Sequence, residues 1–336
     1  MLSVDIFSLD FEGLFYTEDD LLQAGEHRLE IDDTDLAPMK KLVGASQASS
    51  NKKIVMNGSL HQSLFMDTCL MVERNICSSF PVYKRLADEV GIELDPLLLE
   101  DVSKGQESGY HFNLGLQNCE LYKRFNTESP LVNLKNDDID KHLSDTSQRL
   151  LVYVQMHYIA EKYPAHNIKF NYYHRDNSVI DVLKAFYLKH NNLIPSNIQL
   201  ILGVYSEKSL HAARYIQGKG VINLDYKELA SALIEKAKIS YECSFFDDDS
   251  SVSEAPFSSI VKDLVAMHGD KVKSQHASSA VQSGVFSRSS QQQKRVVSVQ
   301  PEAVSVNTAG TNEKTALLDK SESRSCWRRC LPSWRS

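Results

Sequence analysis

The stretch Val4-Asp5-Ile6-Phe7-Ser8-Leu9-Asp10-Phe11-Glu12-Gly13-Leu14-Phe15 constrains the chain most, because an apolar run passes into two acids and a glycine near the N-terminus. A strand ending in Asp-x-acid-Gly sets two carboxylates at its carboxyl end, where open α/β sheets form their ligand crevices. The glycine lets the backbone turn sharply out of the sheet. Two such carboxylates, Asp10 and Glu12, suit magnesium and phosphate chemistry.

Later segments repeat the strand-then-polar pattern. Lys52–Ser59 is a short apolar run closed by Asn57, Gly58 and Ser59, followed by a helical stretch over 60–71. A strand, a glycine and a hydroxyl before a helix is how a phosphate oxygen meets backbone N–H groups, and an ordinary N-cap serine gives the same pattern. Residues 80–102 read as one helix and a second begun by Asp95-Pro96, and 103–143 gives no clear assignment. Helical spacing of Leu151, Val154, Tyr158 and Ile159 predicts a helix from Leu150 that Tyr163-Pro164 stops. Residues 168–173 alternate as a strand ending in His174-Arg175-Asp176-Asn177. Val179, Val182, Leu183 and Phe186 predict an amphipathic helix over 179–188, and 198–205 reads as a buried strand. Strands alternating with helices in this order predict an α/β fold with a mainly parallel sheet and helices on both faces.

The expected α/β domain covers residues 1–243, with 16–50 as an acidic loop or small cap inserted over the crevice. Beyond it, 244–336 contains twenty serines and a Gln291-Gln292-Gln293 run. So little apolar surface does not offset ordering entropy, which predicts a mostly disordered tail with one amphipathic helix at 257–267. The formal charge of −7 hides an asymmetry: residues 271–336 hold eleven Lys and Arg against four Asp and Glu, net +7, leaving −14 for 1–270. An acidic body argues against nucleic-acid binding, which needs clustered cations.

The six cysteines form no C-x-x-C pair and no zinc spacing, which predicts reduced thiols in a cytosol. No signal peptide opens the sequence, and no apolar run approaches the roughly 20 residues of a membrane span. At the other end, Cys326-Trp327-Arg328-Arg329-Cys330 and Trp334 combine interface-seeking tryptophan, arginine and candidate S-acylation sites, a peripheral membrane contact in the making.

Asp10-Phe11-Glu12-Gly13 and Leu14-Phe15 resemble the first motif of the haloacid-dehalogenase-like (HAD) superfamily, a Rossmannoid fold. Three further blocks are similar to HAD-like effectors that intracellular bacteria deliver through a type IVB (Dot/Icm) secretion system. They are Gly58–Ser63, Tyr153–His157 with Ile159-Ala160, and Leu193–Pro195 leading to Gly218–Gly220. The resemblance covers about residues 4–225. It implies Asp10 as nucleophile and magnesium ligand, Glu12 as general acid and base and second metal contact, and Ser59 as the phosphate-binding hydroxyl. It also marks departures. The position of the motif lysine holds Gln148 beside Arg149, and the usual aspartate pair is replaced by His174 and Arg175. A cation there would repel magnesium.

Two readings follow. In the first the chain is a Mg2+-dependent phosphatase, with Arg149 or Arg175 replacing the lysine and Asp176 or Asp181 the missing metal carboxylate. In the second it is a catalytically degenerate scaffold that binds a host protein or a phosphorylated ligand. Either way the resemblance implies secretion into a host cell, with residues 314–336 read by the secretion machinery.

Overall fold

The computed structural model describes residues 2–10, 33–44, 51–59, 62–64, 67, 78–125, 148–206, 209–244 and 262–273. All of them fall in one compact unit, Met1–Phe286. Glu12, the 60–71 helix apart from four residues, and the tail beyond 273 lie outside the described residues.

Six strands form one sheet: β1 Ser3–Leu9, β2 Lys52–Asn57, β3 Glu93–Asp95, β4 Asn167–His174, β5 Ile198–Ser206 and β6 Ser209–Gln217. Their spatial order is β3-β2-β1-β4-β5-β6. β1 to β5 run parallel and β6 turns back antiparallel on β5. The helices are α1 Asp33–Gly44, α2 Ser79–Val90, α3 Leu99–Ser103, α4 Tyr110–Phe125, α5 Gln148–Lys162, α6 Asn177–Lys189 and α7 Tyr226–Ser244, with α8 over 262–273. A mostly parallel six-stranded sheet flanked by helices is the layering of Rossmann-like folds.

Both sheet faces are covered, which explains why the strands are apolar runs rather than simple alternations. In β1, Val4 and Ile6 join one core with Leu151, Tyr153 and Leu233 of α5 and α7, while Phe7 and Leu9 join a second with Met39 and Phe80 of α1 and α2. Helix α5 is buried from Leu150 to His157 without a break, so it carries no polar stripe.

Several expectations are corrected by packing. The 16–50 segment, read as loop or cap, contains helix α1, which buries Leu36, Met39 and Val43. Part of 80–102 is the three-residue edge strand β3, and part of the unassigned 103–143 is α4. On α6 the buried face is Ile180, Leu183, Phe186 and Tyr187, whereas Val182, placed on the apolar side by its spacing, is 46 % exposed. A face built on positions 180, 183 and 187 satisfies the 3.6-residue period and turns Val182 outward. The helix expected at 257–267 is observed over 262–273, with Leu264 inside the core. Among the described residues no helix is long and apolar enough to cross a membrane.

Candidate functional site at the carboxyl end of the sheet

Asp10 follows β1, and its N–H donates to the Tyr173 carbonyl of β4 at 3.0 Å, extending the ladder one residue beyond the strand. On the other side the Gly58 N–H donates to the Leu9 carbonyl at 2.8 Å. A Cβ on Gly58 would lie 2.5 Å from Ser8 Oγ and 2.7 Å from the Leu9 nitrogen, so glycine is what lets the end of β2 come this close. From β1 the chain proceeds to β2, and from β4 to β5 on the opposite side. Asp10 therefore stands where the strand order reverses, the place at which open α/β sheets bind ligands.

Asp10 is 6 % exposed, and its carboxylate faces His174 of β4. His174, the last residue of β4, brings its Nε2 to 3.6 Å from Asp10 Oδ2. Its Nδ1 accepts from the Asp176 N–H at 2.9 Å and so carries no proton there. The proton is then on Nε2, on the side of Asp10. The Gln148 side-chain amide meets the same Nε2 at 3.2 Å. Two protonated nitrogens do not face each other at that distance, so we assign the amide with its oxygen toward the ring, where it shares the Nε2 proton with Asp10. Asp10, His174 and Gln148 thus form a chain joining β1, β4 and the start of α5.

Two buried tyrosines line the same place. Tyr83 donates to the Leu9 carbonyl and neighbours Ser59, and Tyr172 donates to the Gly58 carbonyl at 3.1 Å. Burial first, and the Asp10 charge second, push both hydroxyls well above the ordinary tyrosine range, so both remain protonated donors.

The expected site residues have diverse fates. Ser59 sits directly after Gly58, and its hydroxyl and N–H both donate to Asn57 Oδ1, at 2.7 and 3.0 Å. It closes an Asx-type turn whose next partner, Gln62, donates to the Asn57 and Ser59 carbonyls. Arg149 is turned away by the 100° step from Gln148: its guanidinium lies 5.6 Å over the Phe186 ring. Burial lowers its pKa. Asp176 is exposed and caps α6, accepting from the Ser178 N–H at 2.7 Å, and its hydrogen bonds to Ser178 hold its carboxyl below the usual range. Asp181 lies one turn further along and accepts from the Asn177 side chain. Gln148 is the residue that sequence reasoning noted only as a departure, and Gln155 appeared only within the Tyr153–His157 block and was given no role. The latter accepts from Ser8 Oγ and donates to the Asn57 carbonyl, both at 2.7 Å, tying α5 to the ends of β1 and β2.

Of the three expected magnesium ligands, Asp10 faces His174, Asp176 caps α6 and Glu12 lies outside the described residues. Magnesium requires about six oxygens at roughly 2.0–2.1 Å. Here a proton-bearing nitrogen faces Asp10, and the Asp176 carboxylate is committed to a helix cap. Among the described residues no group of three His, Cys, Asp or Glu side chains gathers to hold an ion. Compared with protein-family models, curated proteins and solved structures, the chain matches none.

Proposed function

We propose that the chain is a non-catalytic HAD-like effector: a Rossmann-like scaffold that binds a host protein at the carboxyl end of its sheet. The observation that carries this reading is the Asp10–His174–Gln148 chain. A phosphatase of the resembled kind needs an unencumbered nucleophile and a cation beside it, and here the first carboxylate meets a ring N–H instead. Charge favours a protein partner with a basic surface over a phosphorylated ligand, since residues 1–270 carry −14. The phosphatase reading makes the opposite claim about the same residue. Phosphate release from p-nitrophenyl phosphate and phosphopeptides, with and without Mg2+, is expected to be the same for the full chain and for Asp10→Asn. Mg2+-dependent turnover by the wild type that disappears in Asp10→Asn overturns the proposal in favour of the enzyme.

The C-terminal stretch has its own role in this reading, export followed by membrane contact. Deleting residues 314–336 is expected to block delivery into the host cell. Cys326→Ser with Cys330→Ser is expected to leave delivery intact and move the protein from membranes to cytosol, read by fractionation. An unchanged distribution removes the anchor and leaves the export role.

A further inference from the structure

Helix α8 is fastened to the domain by a buried network whose only titratable members are histidines and tyrosines. His268 of α8 is 2 % exposed and its Nδ1 lies 2.9 Å from the Tyr153 hydroxyl of α5. Tyr153 in turn accepts from the Asn223 side chain at 2.8 Å. The Asn223 N–H donates to His157 Nδ1 and His157 Nε2 donates to the Leu193 carbonyl, each at 3.0 Å. The rings of His157 and His268 are 5.6 Å apart, and Tyr226 of α7 lies 6.4 Å beyond His157.

Each hydrogen in this network has one place. Asn223 donates to Tyr153, Tyr153 donates to His268 Nδ1, and the other side of the His268 ring meets the Asn192 backbone carbonyl. A proton added at His268 Nδ1 would confront the Tyr153 hydroxyl hydrogen, for which the network has no second acceptor. Among the described residues the groups that face His268 are Tyr153 and His157 from α5 and the Asn192 backbone from the turn before β5, and His157 in turn faces Tyr226 of α7, beside which lies Glu161. Neither histidine has a carboxylate partner among the described residues. The charged pairs of α8, Asp263 with Lys236 at 2.5 Å and Lys271 with Asp225 at 3.4 Å, lie at its exposed flanks.

We propose that α8 is an acid-released strap, held on the domain while His268 and His157 are uncharged and let go when a proton enters the pair. Burial, then the neighbouring His268, pushes the His157 pKa down to about 3, and burial lowers that of His268. Both folded-state values lie below the unfolded value of about 6.5. Between them the opened state binds more protons, so attachment is full above about pH 6.5 and weakens progressively as pH falls through that window. The strap opens before the sheet because α8 leaves residues 262, 266, 270 and 273 exposed along one face, whereas β1, β4 and β5 each have two strand neighbours.

Hydrogen exchange of the full chain at pH 7 and pH 5, corrected for intrinsic exchange, tests this. Protection of amides in 262–273 is expected to fall about tenfold or more at pH 5 while β4 and β5 stay protected. In His268→Gln, which keeps an amide for Tyr153 and leaves only His157 of the pair to titrate, the loss of protection between pH 7 and pH 5 is expected to shrink severalfold. Equal corrected protection of 262–273 at both pH values, or loss in step with the sheet, overturns the proposal. If His268→Gln does not fold, the His268 ring signals in a wild-type NMR titration decide: the strap requires them to change protonation over the same pH range as opening, and a ring that stays neutral while 262–273 opens rejects it.

Discussion

Asp101 and Asp10 are both buried, yet their surroundings differ in kind. Asp101, in the third position of α3, is fully buried and accepts from the N–H groups of Leu98, Gly109 and His111 and from His111 Nδ1 at 2.8 to 3.2 Å. Glu100 beside it accepts from the Leu64 N–H, and Lys104 meets its other oxygen at 2.6 Å. Asp10 stands at the reversal point of the sheet and looks across 3.6 Å at His174. The first carboxylate is an organising centre for loops. The second sits where this fold class presents its binding face. Carboxylates so unlike in role follow similar apolar runs in the sequence, so residue type and burial do not separate a structural acid from a site acid; the partners do.

Removing the carboxylate at each place should break the comparison open most widely. Asp101→Ala leaves three buried N–H groups without their acceptor and Lys104 and His111 facing Glu100 without the second charge. Loss of one partner from such a network costs about 3–5 kcal/mol, and a urea melt should show it as a large fall in midpoint. A change below about 1 kcal/mol would mean that the α3 region is not the organising centre described here.

Gly58→Ala comes next, because it crowds the carboxyl end of the sheet rather than unpairing a charge. The added Cβ overlaps Ser8 Oγ and the Leu9 backbone, and backbone cannot yield as a flexible side chain does. Overpacking of this kind costs about 1–3 kcal/mol. The same shift should displace Asp10, so any partner binding measured for the wild type should weaken in parallel with stability. Gln155→Leu should fall in a similar range, about 1–3 kcal/mol, by leaving the Ser8 hydroxyl without its buried acceptor and removing one of the two amide donors to the Asn57 carbonyl.

Legibility followed the same divide. Long segments with one dominant signal, such as β1, α5, β4 and β5, could be read because apolar runs and helical spacing state their burial directly. Helix α4 could not, in part because Gly115 interrupts it; that glycine exists because α4 passes directly over the Phe80 ring, a tertiary fact. β3 is three residues long, too short to show a period. β6 follows β5 after two residues, and its polar, mixed sequence carries no clear period. At the carboxyl end of the sheet, sequence pattern placed Asp10 and Ser59 just beyond strands, where they lie, and the resemblance marked positions 148, 149, 174 and 175 as departures. It could not show that Gln148 rather than Arg149 reaches His174, since that depends on how α5 is rotated against β4. Nor does spacing show that His268 meets Tyr153, 115 residues away.

The smallest expected effect is the sharpest test of the comparison. In Asp10→Asn the amide oxygen still faces the His174 Nε2 proton, the volume is conserved, and the backbone bonds of residue 10 to β4 are untouched. The lost interaction is the difference between a charged and a neutral acceptor at a separation longer than a good hydrogen bond, which amounts to about 1 kcal/mol or less. Thermal and urea melts of Asp10→Asn should therefore lie close to wild type, far from Asp101→Ala, and the His174 ring should keep its contact with the Asp176 N–H. If Asp10→Asn instead unfolds the chain as severely as Asp101→Ala, Asp10 is a structural carboxylate like Asp101, and the carboxyl end of the sheet loses its claim to be the binding face.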